Sequence, residues 1–295
     1  MSAIANKIDF AVLVTVKKAN PNGDPLNGNR PREDFNGYGE ISDVCIKRKI
    51  RNRLQDMGER IFVQSSDRCN DGEQSLHDRL KNNKNVGKFV DDRQKLFELS
   101  CKEWIDVRSF GQVFAFSGSK KSSKKSNEES DVASVGVRGP VSVRTGESVN
   151  PIDIAMMQIT KSVNGETGDK KSSDTMGSKN RVEFGLYKIF GSINPQLAEK
   201  TGFSDDDAEK IKIALTTLFE NDASSARPDG SIEVKNVFWW KHNCKAGQYS
   251  SAKVHGSLKI KLKENVEQPK CYEDYDICRE ELEGLACEEL AEICR

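Results

Sequence analysis

The chain has 295 residues and a mass of 33.0 kDa, enough for one large domain or two small ones. It is polar, with 36% hydrophobic and 31% charged residues, and its apolar runs are too short to cross a bilayer. The first residues do not follow the pattern of a secretory signal. We therefore expect a cytoplasmic protein, without a membrane partner, whose eight cysteines are reduced thiols.

The net charge of zero conceals an uneven distribution. Residues 264–295 contain eleven acidic and three basic residues, so this segment carries −8 and residues 1–263 carry +8. A basic body with an acidic tail is typical of proteins that bind polyanions. A solvated acidic helix is the alternative explanation for the tail.

Metal and cofactor sites are not indicated. The cysteines form no CxxC pair, and the histidines at 77, 242 and 255 are scattered along the chain. The nearest approach to a zinc pattern is HNC at residues 242–244. We predict neither a metal nor a cofactor.

The first elements are a strand, a shaped loop and a helix. Residues 8–16, IDFAVLVTV, alternate in the manner of a well-buried strand. Residues 19–34, ANPNGDPLNGNRPRED, are rich in proline, glycine and asparagine, which predicts a rigid loop. Residues 42–60 predict a helix with Ser42 as N-cap. Its apolar stripe consists of Ile46, Ile50, Leu54 and Met57.

The middle of the chain is interrupted by long polar insertions. We expect a short helix near residues 91–104, a flexible low-complexity segment near 119–131, and a long projecting hairpin around the polar stretch 161–179. Further strands are predicted at residues 110–116, 135–143, 152–160, 231–240 and 252–262.

The second clear helix starts at Ser204, which forms a capping box with Asp207. Residues from about 277 onward are amphipathic, and we predict that they form a helix. The order of strands and helices fits an α+β fold built on a small split βαβ sheet of the ferredoxin or RRM type.

The densest basic run is KRKIRNR, residues 47–53. On a helix Lys47 and Arg51 lie one turn apart with Arg48 beside them, whereas Lys49 and Arg53 lie on the opposite flank. A ridge of three cations matches successive phosphates of a nucleic acid, although a solvated surface is the alternative. Further arginines that a common sheet could gather are Arg30, Arg32, Arg108, Arg138 and Arg144.

Two motifs in sequence, NPNGDPLNGNRPR and SDVCIKRKIRNR, resemble the opening signature of the Cas7 family. This family supplies the repeating backbone subunit of the type I CRISPR surveillance complex, Cascade, and the resemblance is strongest to its type I-C branch. It extends to about residue 262. The other matching segments include residues 106–116, 137–152, 159–161, 176–207 and 219–243.

The resemblance implies a hand-shaped subunit. An RRM-like palm would occupy residues 1–263, with a helical fingers insertion at about 60–105, a flexible loop at about 118–132 and a long β-hairpin thumb at about 150–182. The acidic tail, residues 264–295, lies outside it. Implied partners are the crRNA, the target DNA strand paired to it, further copies of the chain stacked head to tail, and the large and crRNA-processing subunits.

The resemblance also assigns an RNA-binding role to particular residues. Lys161 and Ser178 depart from the branch, which commonly has arginine and a basic residue there; lysine lacks the planar fork of arginine. The predicted RNA-binding residues are Asn20, Asn22, Arg30, Arg32, Ser42, Lys47, Arg48, Arg51, Arg108, Arg138, Arg144, Thr160, Lys161, Met176 and Lys179.

Three functions remain open from the sequence. The first is a non-catalytic RNA-binding subunit, which we predict. The second is a metal-dependent nuclease of the same superfamily that would use Asp24, Asp34 or Asp43, although the loop offers no acidic cluster for two metal ions. The third is a scaffold in which the basic ridge meets the acidic tail of a neighbouring copy.

Overall fold

A ten-stranded antiparallel sheet organises this mixed α/β fold. The computed structural model describes residues 2–115, 134–160 and 176–291; the predicted flexible loop at about 118–132 and Lys161 lie outside the described residues. The strands are β1 (Ile8–Ala19), β2 (Gly23–Asp24), β3 (Arg30–Glu33), β4 (Tyr38–Ile41), β5 (Gly111–Phe114), β6 (Val135–Arg138), β7 (Val141–Val143), β8 (Gly146–Pro151), β9 (Ile154–Thr160), β10 (Met176–Ile193), β11 (Ile232–Lys241), β12 (Leu258–Leu262), β13 (Tyr275–Arg279) and β14 (Cys287–Ala291).

The main path of the sheet runs β14-β11-β1-β10-β8-β4-β3-β2, and β7 and β9 also pair with β10. Two separate ribbons, β5–β6 and β12–β13, complete the strand pairing in the described residues. The helices are α1 (Asp43–Asp56), α2 (Leu76–Asn82), α3 (Arg93–Glu103), α4 (Ile105–Phe110), α5 (Pro195–Thr201), α6 (Asp205–Thr216) and α7 (Ser251–Gly256).

Strand β1 is buried on both of its faces, as its sequence predicts. Phe10, Val12 and Val14 point to a core shared with α1 and α6, and we call this side the α1 face. Ala11 and Leu13 point to a second core beneath α7 and the β12–β13 ribbon, which we call the back face. Because both faces are covered, the strand removes a continuous apolar run from water.

The longest strand, β10, belongs to both the sheet and the hairpin. Its residues Val182–Ile193 pair with β1, and its first residues, Met176–Val182, pair with β9. The predicted long hairpin is therefore confirmed in its described part. Because β10 runs without interruption from the hairpin into the centre of the sheet, no loop separates the hairpin from the sheet.

Local capping signals set the starts of α1 and α6. The Ser42 hydroxyl accepts a hydrogen bond from the Cys45 backbone N–H at 3.3 Å, and Ser204 and Asp207 form the predicted capping box. Both helices bury an apolar stripe against the α1 face, as their periodicity indicates.

The region that the resemblance assigns to the fingers has a core of its own. Phe62 packs against Trp104 with ring centroids 4.7 Å apart and against Phe114 at 5.4 Å. The core also includes Val135 and Val137 of β6, so this unit extends beyond the predicted limit at residue 105. The predicted helix near 91–104 is confirmed as α3. The predicted strand at 110 starts one residue later, because Gly111, with φ of 84°, ends α4.

The prediction of a helical C-terminal tail is wrong. Strand β14 pairs with β11 and β13 pairs with β12, while Tyr275 and Leu285 are only 5% exposed. Gly284 adopts φ of 70°, which interrupts a helix at this point. Residue 263 is therefore not a structural boundary.

The predicted strand at 252–262 also differs from the structure. Residues Ser251–Gly256 form α7, with Ser250 as N-cap, and only Leu258–Leu262 form a strand. The Ser250 hydroxyl accepts a hydrogen bond from the Lys253 backbone N–H at 3.3 Å, a local interaction that favours a helix start.

A desolvated ion pair connects the fingers to α6 and generates a prediction about stability. Arg108 donates from Nε and Nη2 to the two Asp207 carboxylate oxygens at 3.0 and 2.7 Å, and Asp207 is almost fully buried. We expect Arg108→Met to lower the free energy of unfolding by about 3 kcal/mol, because it leaves a buried carboxylate without its cation. Urea denaturation at pH 7 measures this. The surface-pair variant Lys245→Met is the matched control, with an expected loss below about 1 kcal/mol. Equal losses would contradict the prediction.

The same pair makes a pH-dependent contribution. Burial acts to raise the pKa of Asp207, but the hydrogen bonds and charge of Arg108, with further hydrogen bonds from Ser204, hold it below its ordinary value. A lowered folded-state pKa stabilises the fold above the unfolded-state pKa, and this stabilisation is lost as the pH falls through the folded-state value. The deficit of Arg108→Met should therefore shrink below pH about 4. A deficit that stays constant down to pH about 2 would contradict this assignment.

Candidate nucleic-acid interface

The loop between β1 and α1 is shaped by its own turns and side chains. Gly28 and Asn29 both adopt φ of 56°, in the left-handed region that glycine and asparagine tolerate. The Asn20 side-chain amide donates to the Asn29 carbonyl oxygen at 2.7 Å, and Asn20 is 3% exposed. The turns predicted for this loop are confirmed, and Asn20 contributes to them as a buried structural residue.

Asn22 and Ser42 join this loop to the start of α1. The Asn22 Oδ1 atom accepts a hydrogen bond from the Ser42 backbone N–H at 2.9 Å, while the Ser42 hydroxyl caps the helix. The Arg32 backbone N–H donates to the Asn22 carbonyl oxygen at 3.1 Å. The loop, the two short strands after it and the helix therefore hold one another in a fixed arrangement.

Arg30 and Arg32 are half-exposed in this arrangement. Arg30 lies 3.9 Å from Glu33 and Arg32 lies 3.4 Å from Asp24, and both arginine side chains are more than one-third exposed. The Arg32 Nε atom is buried and makes no hydrogen bond within the described residues. Both guanidinium groups retain donors that an anion could accept from.

The three cations of the ridge, Lys47, Arg48 and Arg51, have different environments. The Lys47 ammonium is one-quarter exposed and forms an ion pair with Asp43 at 3.0 Å, one turn earlier in α1. Arg48 Nη1 donates to the Val63 carbonyl oxygen at 2.5 Å. Burial and the nearby Arg51 cation both lower the pKa of Arg48, so two positive charges are crowded at this point.

Of the three cations, Arg51 is the one most engaged in contacts within the protein. Its Nε atom donates to Asp106 at 3.0 Å, its guanidinium lies 5.0 Å from the centroid of the Phe110 ring, and its side chain is only 13% exposed. Asp106 is fully buried and also accepts hydrogen bonds from the backbone N–H groups of Phe62 and Val63. Arg51 therefore neutralises the carboxylate that anchors the fingers to α1.

The other flank of α1 carries a network that sequence reasoning did not identify. Lys49 is 7% exposed and forms an ion pair with Asp222, which also accepts a hydrogen bond from Arg227 Nε at 2.8 Å. Sequence reasoning correctly placed Lys49 away from the ridge. Its acidic partner is 173 residues away, and no local pattern could have revealed it.

The remaining arginines of the prediction, Arg108, Arg138 and Arg144, have different environments. Arg108 is held by Asp207, as described above. Arg138, at the end of β6, is exposed and pairs in register with Gly111. Val141 and Val143 face the α1 side, so the alternation of the strand puts Arg144 on the back face, where it lies over the ring of Phe190. The expectation of one common cluster is wrong for Arg144, whereas Arg108 lies on α4, the helix whose Asp106 pairs with Arg51.

The described part of the thumb brings three predicted residues together. Thr160 and Met176 are directly opposite each other in the β9–β10 register, and Lys179 is opposite Met157. Four large apolar side chains are unusually exposed along this ribbon. Their exposed fractions are 71% for Met156, 38% for Met157, 48% for Ile159 and 60% for Met176. Sequence reasoning identified the hairpin but not this apolar surface.

The aspartates considered for catalysis have local structural partners. Asp24 caps the backbone N–H of Leu26, Asp34 accepts hydrogen bonds from the backbone N–H groups of Asn36 and Tyr38, and Asp43 pairs with Lys47. Within residues 2–115, 134–160 and 176–291, no group of three histidine, cysteine or carboxylate side chains could hold a metal ion.

The helices in the described part of the chain lack the length and apolar character needed to span a bilayer.

Comparison with known proteins identifies relatives. A curated Cas7 protein, "CRISPR-associated protein Cas7" from Haloferax volcanii (strain DS2), is 28% identical over 231 residues, covering 75% of this chain and 66% of the relative, slightly less than two-thirds of its length.

Two solved structures overlap this fold in part. A chain described as "CRISPR RNA-guided surveillance complex, pre-nicking" gives a TM-score of 0.47 at 14% identity, covering 79% of this chain and 78% of the other. A chain described as "CRISPR RNA-guided surveillance complex" gives 0.45 at 14% identity, covering 79% and 68%.

The family model described as "CRISPR-associated protein Cas7" matches residues 6–280, which include the shaped loop, α1, the fingers, the thumb and the back-face ribbon. The chain therefore belongs to the Cas7 family.

Proposed function

We propose that the chain is a non-catalytic, crRNA-binding backbone subunit of a type I CRISPR surveillance complex, of the type I-C branch. Membership of the Cas7 family supports this assignment at the level of the CRISPR system. The cytoplasmic location stays a prediction.

The observation that carries the RNA-binding role is the crowding of cations beside the fixed loop. Burial and then the nearby Arg51 cation lower the pKa of Arg48, and Lys47 lies one turn from Arg51 on the same edge of α1. Such crowding is unfavourable in isolation and is relieved when an anion such as a backbone phosphate binds. Asn22 and Ser42 serve this site indirectly, because they fix the start of the helix that carries the ridge.

An RRM-like palm is supported by the topology. The succession β1–α1–β8–β10–α6–β11 has the β-α-β-β-α-β order of ferredoxin-like folds, and these four strands lie side by side as β11-β1-β10-β8. Both helices pack on the α1 face. We propose that this unit is the palm and that the units inserted into it are the fingers and the thumb.

The thumb is proposed to contact the neighbouring copy and the guide–target duplex in a head-to-tail assembly. Exposed apolar side chains on a projecting ribbon, here Met156, Ile159 and Met176, mark interaction surfaces in soluble proteins. The target DNA strand and the large and crRNA-processing subunits are further proposed partners.

The ridge is tested by a variant that spares the Arg51–Asp106 pair. We expect Lys47→Gln/Arg48→Gln to weaken crRNA binding about tenfold or more and to lower the salt slope of binding by about 1.4, because two phosphate contacts are removed. Filter binding at several salt concentrations measures both quantities. The control Lys102→Gln/Lys200→Gln removes two exposed lysines on α3 and α5. Wild-type affinity and slope in the ridge variant would contradict the proposal.

The absence of catalysis is tested on the assembled particle. We expect target RNA and DNA strands incubated with the particle and Mg²⁺ to remain intact until a separate nuclease is added, because Asp24, Asp34 and Asp43 are engaged in local structure. Gel electrophoresis of labelled strands measures cleavage. Cleavage by the wild type that is lost in Asp24→Ala, Asp34→Ala or Asp43→Ala would establish the nuclease alternative.

A further inference from the structure

A cavity of about 460 Å³ lies on the back face of the sheet, on the side opposite α1. One wall is formed by β10 and the residue that follows β7, and the other by α7 and β12. The side chains that define its chemistry are Arg144, Lys188, Phe190, His255, Lys259 and Lys261. None of these residues contacts the ridge on α1, because the sheet separates the two sites.

The cavity is strongly cationic. Four of its lining residues are lysine or arginine and none carries a carboxylate. Lys188 and Lys261 have no ion-pair partner among the residues that the structure describes, and Lys259 lies 3.9 Å from Glu280 with both side chains at least half exposed. Glu147 is opposite Lys188 in the register of β8 and β10, and Asp276 is opposite Lys261 in the register of β12 and β13; both carboxylates are exposed and outside the lining. Exposed carboxylates at such positions interact weakly with the lysines, so they compensate the positive potential of the cavity only in part.

Flat side chains form the rest of the wall. The ring of His255 stacks on Phe190 with centroids 4.7 Å apart and an angle of 20° between the planes, and the Arg144 guanidinium lies 5.9 Å from the centroid of Phe190. His255 Nε2 hydrogen-bonds to the Gly191 carbonyl oxygen at 3.1 Å. Burial lowers the pKa of His255, although Asp9 and Gly191 act to raise it, so the neutral imidazole is favoured. His255 is only 7% exposed, so it supports the ring of Phe190 from within the core and presents no surface of its own to a ligand.

The pattern of cations favours a phosphate-bearing strand over an acidic peptide. Lys259 and Lys261 alternate with Leu258, Ile260 and Leu262 of the back-face core, so they project from the outer face of β12, at the mouth of the cavity, roughly 6.6 Å apart. Lysines at such intervals neutralise successive phosphates as point charges, whereas carboxylates are best recognised by free, bidentate guanidinium groups. The single guanidinium here, Arg144, is already stacked on Phe190. Aromatic and guanidinium planes beside a basic groove are typical of sites for single-stranded nucleic acid.

We propose that this back-face cavity is a second nucleic-acid site, which holds the phosphates of a single strand on Lys188, Lys259 and Lys261 without sequence preference. The exposed guanidinium plane of Arg144, which lies over the half-buried ring of Phe190, offers a surface for an unpaired base. The site is separate from the ridge, so one subunit contacts two stretches of polynucleotide on opposite faces of its sheet.

The test uses the full-length protein as purified and a fluorescent 20-nucleotide oligo-dT as the probe. We expect Lys188→Ala/Lys261→Ala to weaken oligo-dT binding about tenfold or more and to lower the salt slope by about 1.4, the value for two lost contacts on a single strand. Fluorescence anisotropy at several salt concentrations measures both. The control Lys102→Ala/Lys200→Ala should bind as the wild type does, and Lys188→Arg/Lys261→Arg should retain binding. Unchanged affinity in the alanine variant overturns the proposal.

Two further measurements separate this site from the ridge and from a protein ligand. The alanine variant should keep the wild-type ratio of absorbance at 260 and 280 nm, whereas loss of co-purifying RNA would show that the two sites are one. The Lys47→Gln/Arg48→Gln variant should retain oligo-dT binding, so the result stands even if the ridge binds no RNA. Poly-glutamate that displaces the probe more effectively per charge than unlabelled oligo-dT would overturn the nucleic-acid assignment in favour of an acidic peptide.

Discussion

The pairing of β1 with β10 is the constraint on which the rest of the molecule depends. It runs from Ile8 opposite Ile193 to Ala19 opposite Val182; β1 is buried on both faces over most of this length, and β10 is buried on its α1 face and half-buried on its back face. The end of β1 delivers the chain into the shaped loop and α1, and the start of β10 extends into the thumb. A disturbance of this pair would therefore displace the ridge, the thumb and the back-face cavity together.

Elements whose signals are local could be predicted from the sequence. Strand β1 follows from its alternation, and the starts of α1 and α6 follow from Ser42 and Ser204, because capping is decided within four residues. The tail could not be predicted in this way. Leu282, Leu285 and Leu290 fit a helical period, but pairing of β14 with a strand about fifty residues earlier decides the outcome.

In the candidate sites too, some features follow from local sequence and others depend on contacts between distant residues. The neighbouring positions of Lys47, Arg48 and Arg51 follow from helix geometry alone, whereas the use of Arg51 as the partner of Asp106 depends on a residue 55 positions away. The back-face cavity combines side chains from β10, α7 and β12. The alternating lysines of LKIKL were visible in the sequence, but only the fold brings Arg144 and Lys188 to them. Arg51 therefore belongs to two features of the molecule: it neutralises Asp106 of the fingers, and it is one of the three cations of the ridge.

Both outer edges of the sheet are closed to further strand pairing. At one edge, β14 presents the exposed carboxylates of Glu288 and Glu289, and at the other, β2 is two residues long and is followed directly by Pro25. Charges, prolines and very short strands are the means by which natural sheets prevent edge-to-edge association. Growth of any oligomer by continuation of the sheet is thus disfavoured. Copies that associate then join through side-chain surfaces, and in the proposed assembly the polymer that the array coats sets its length.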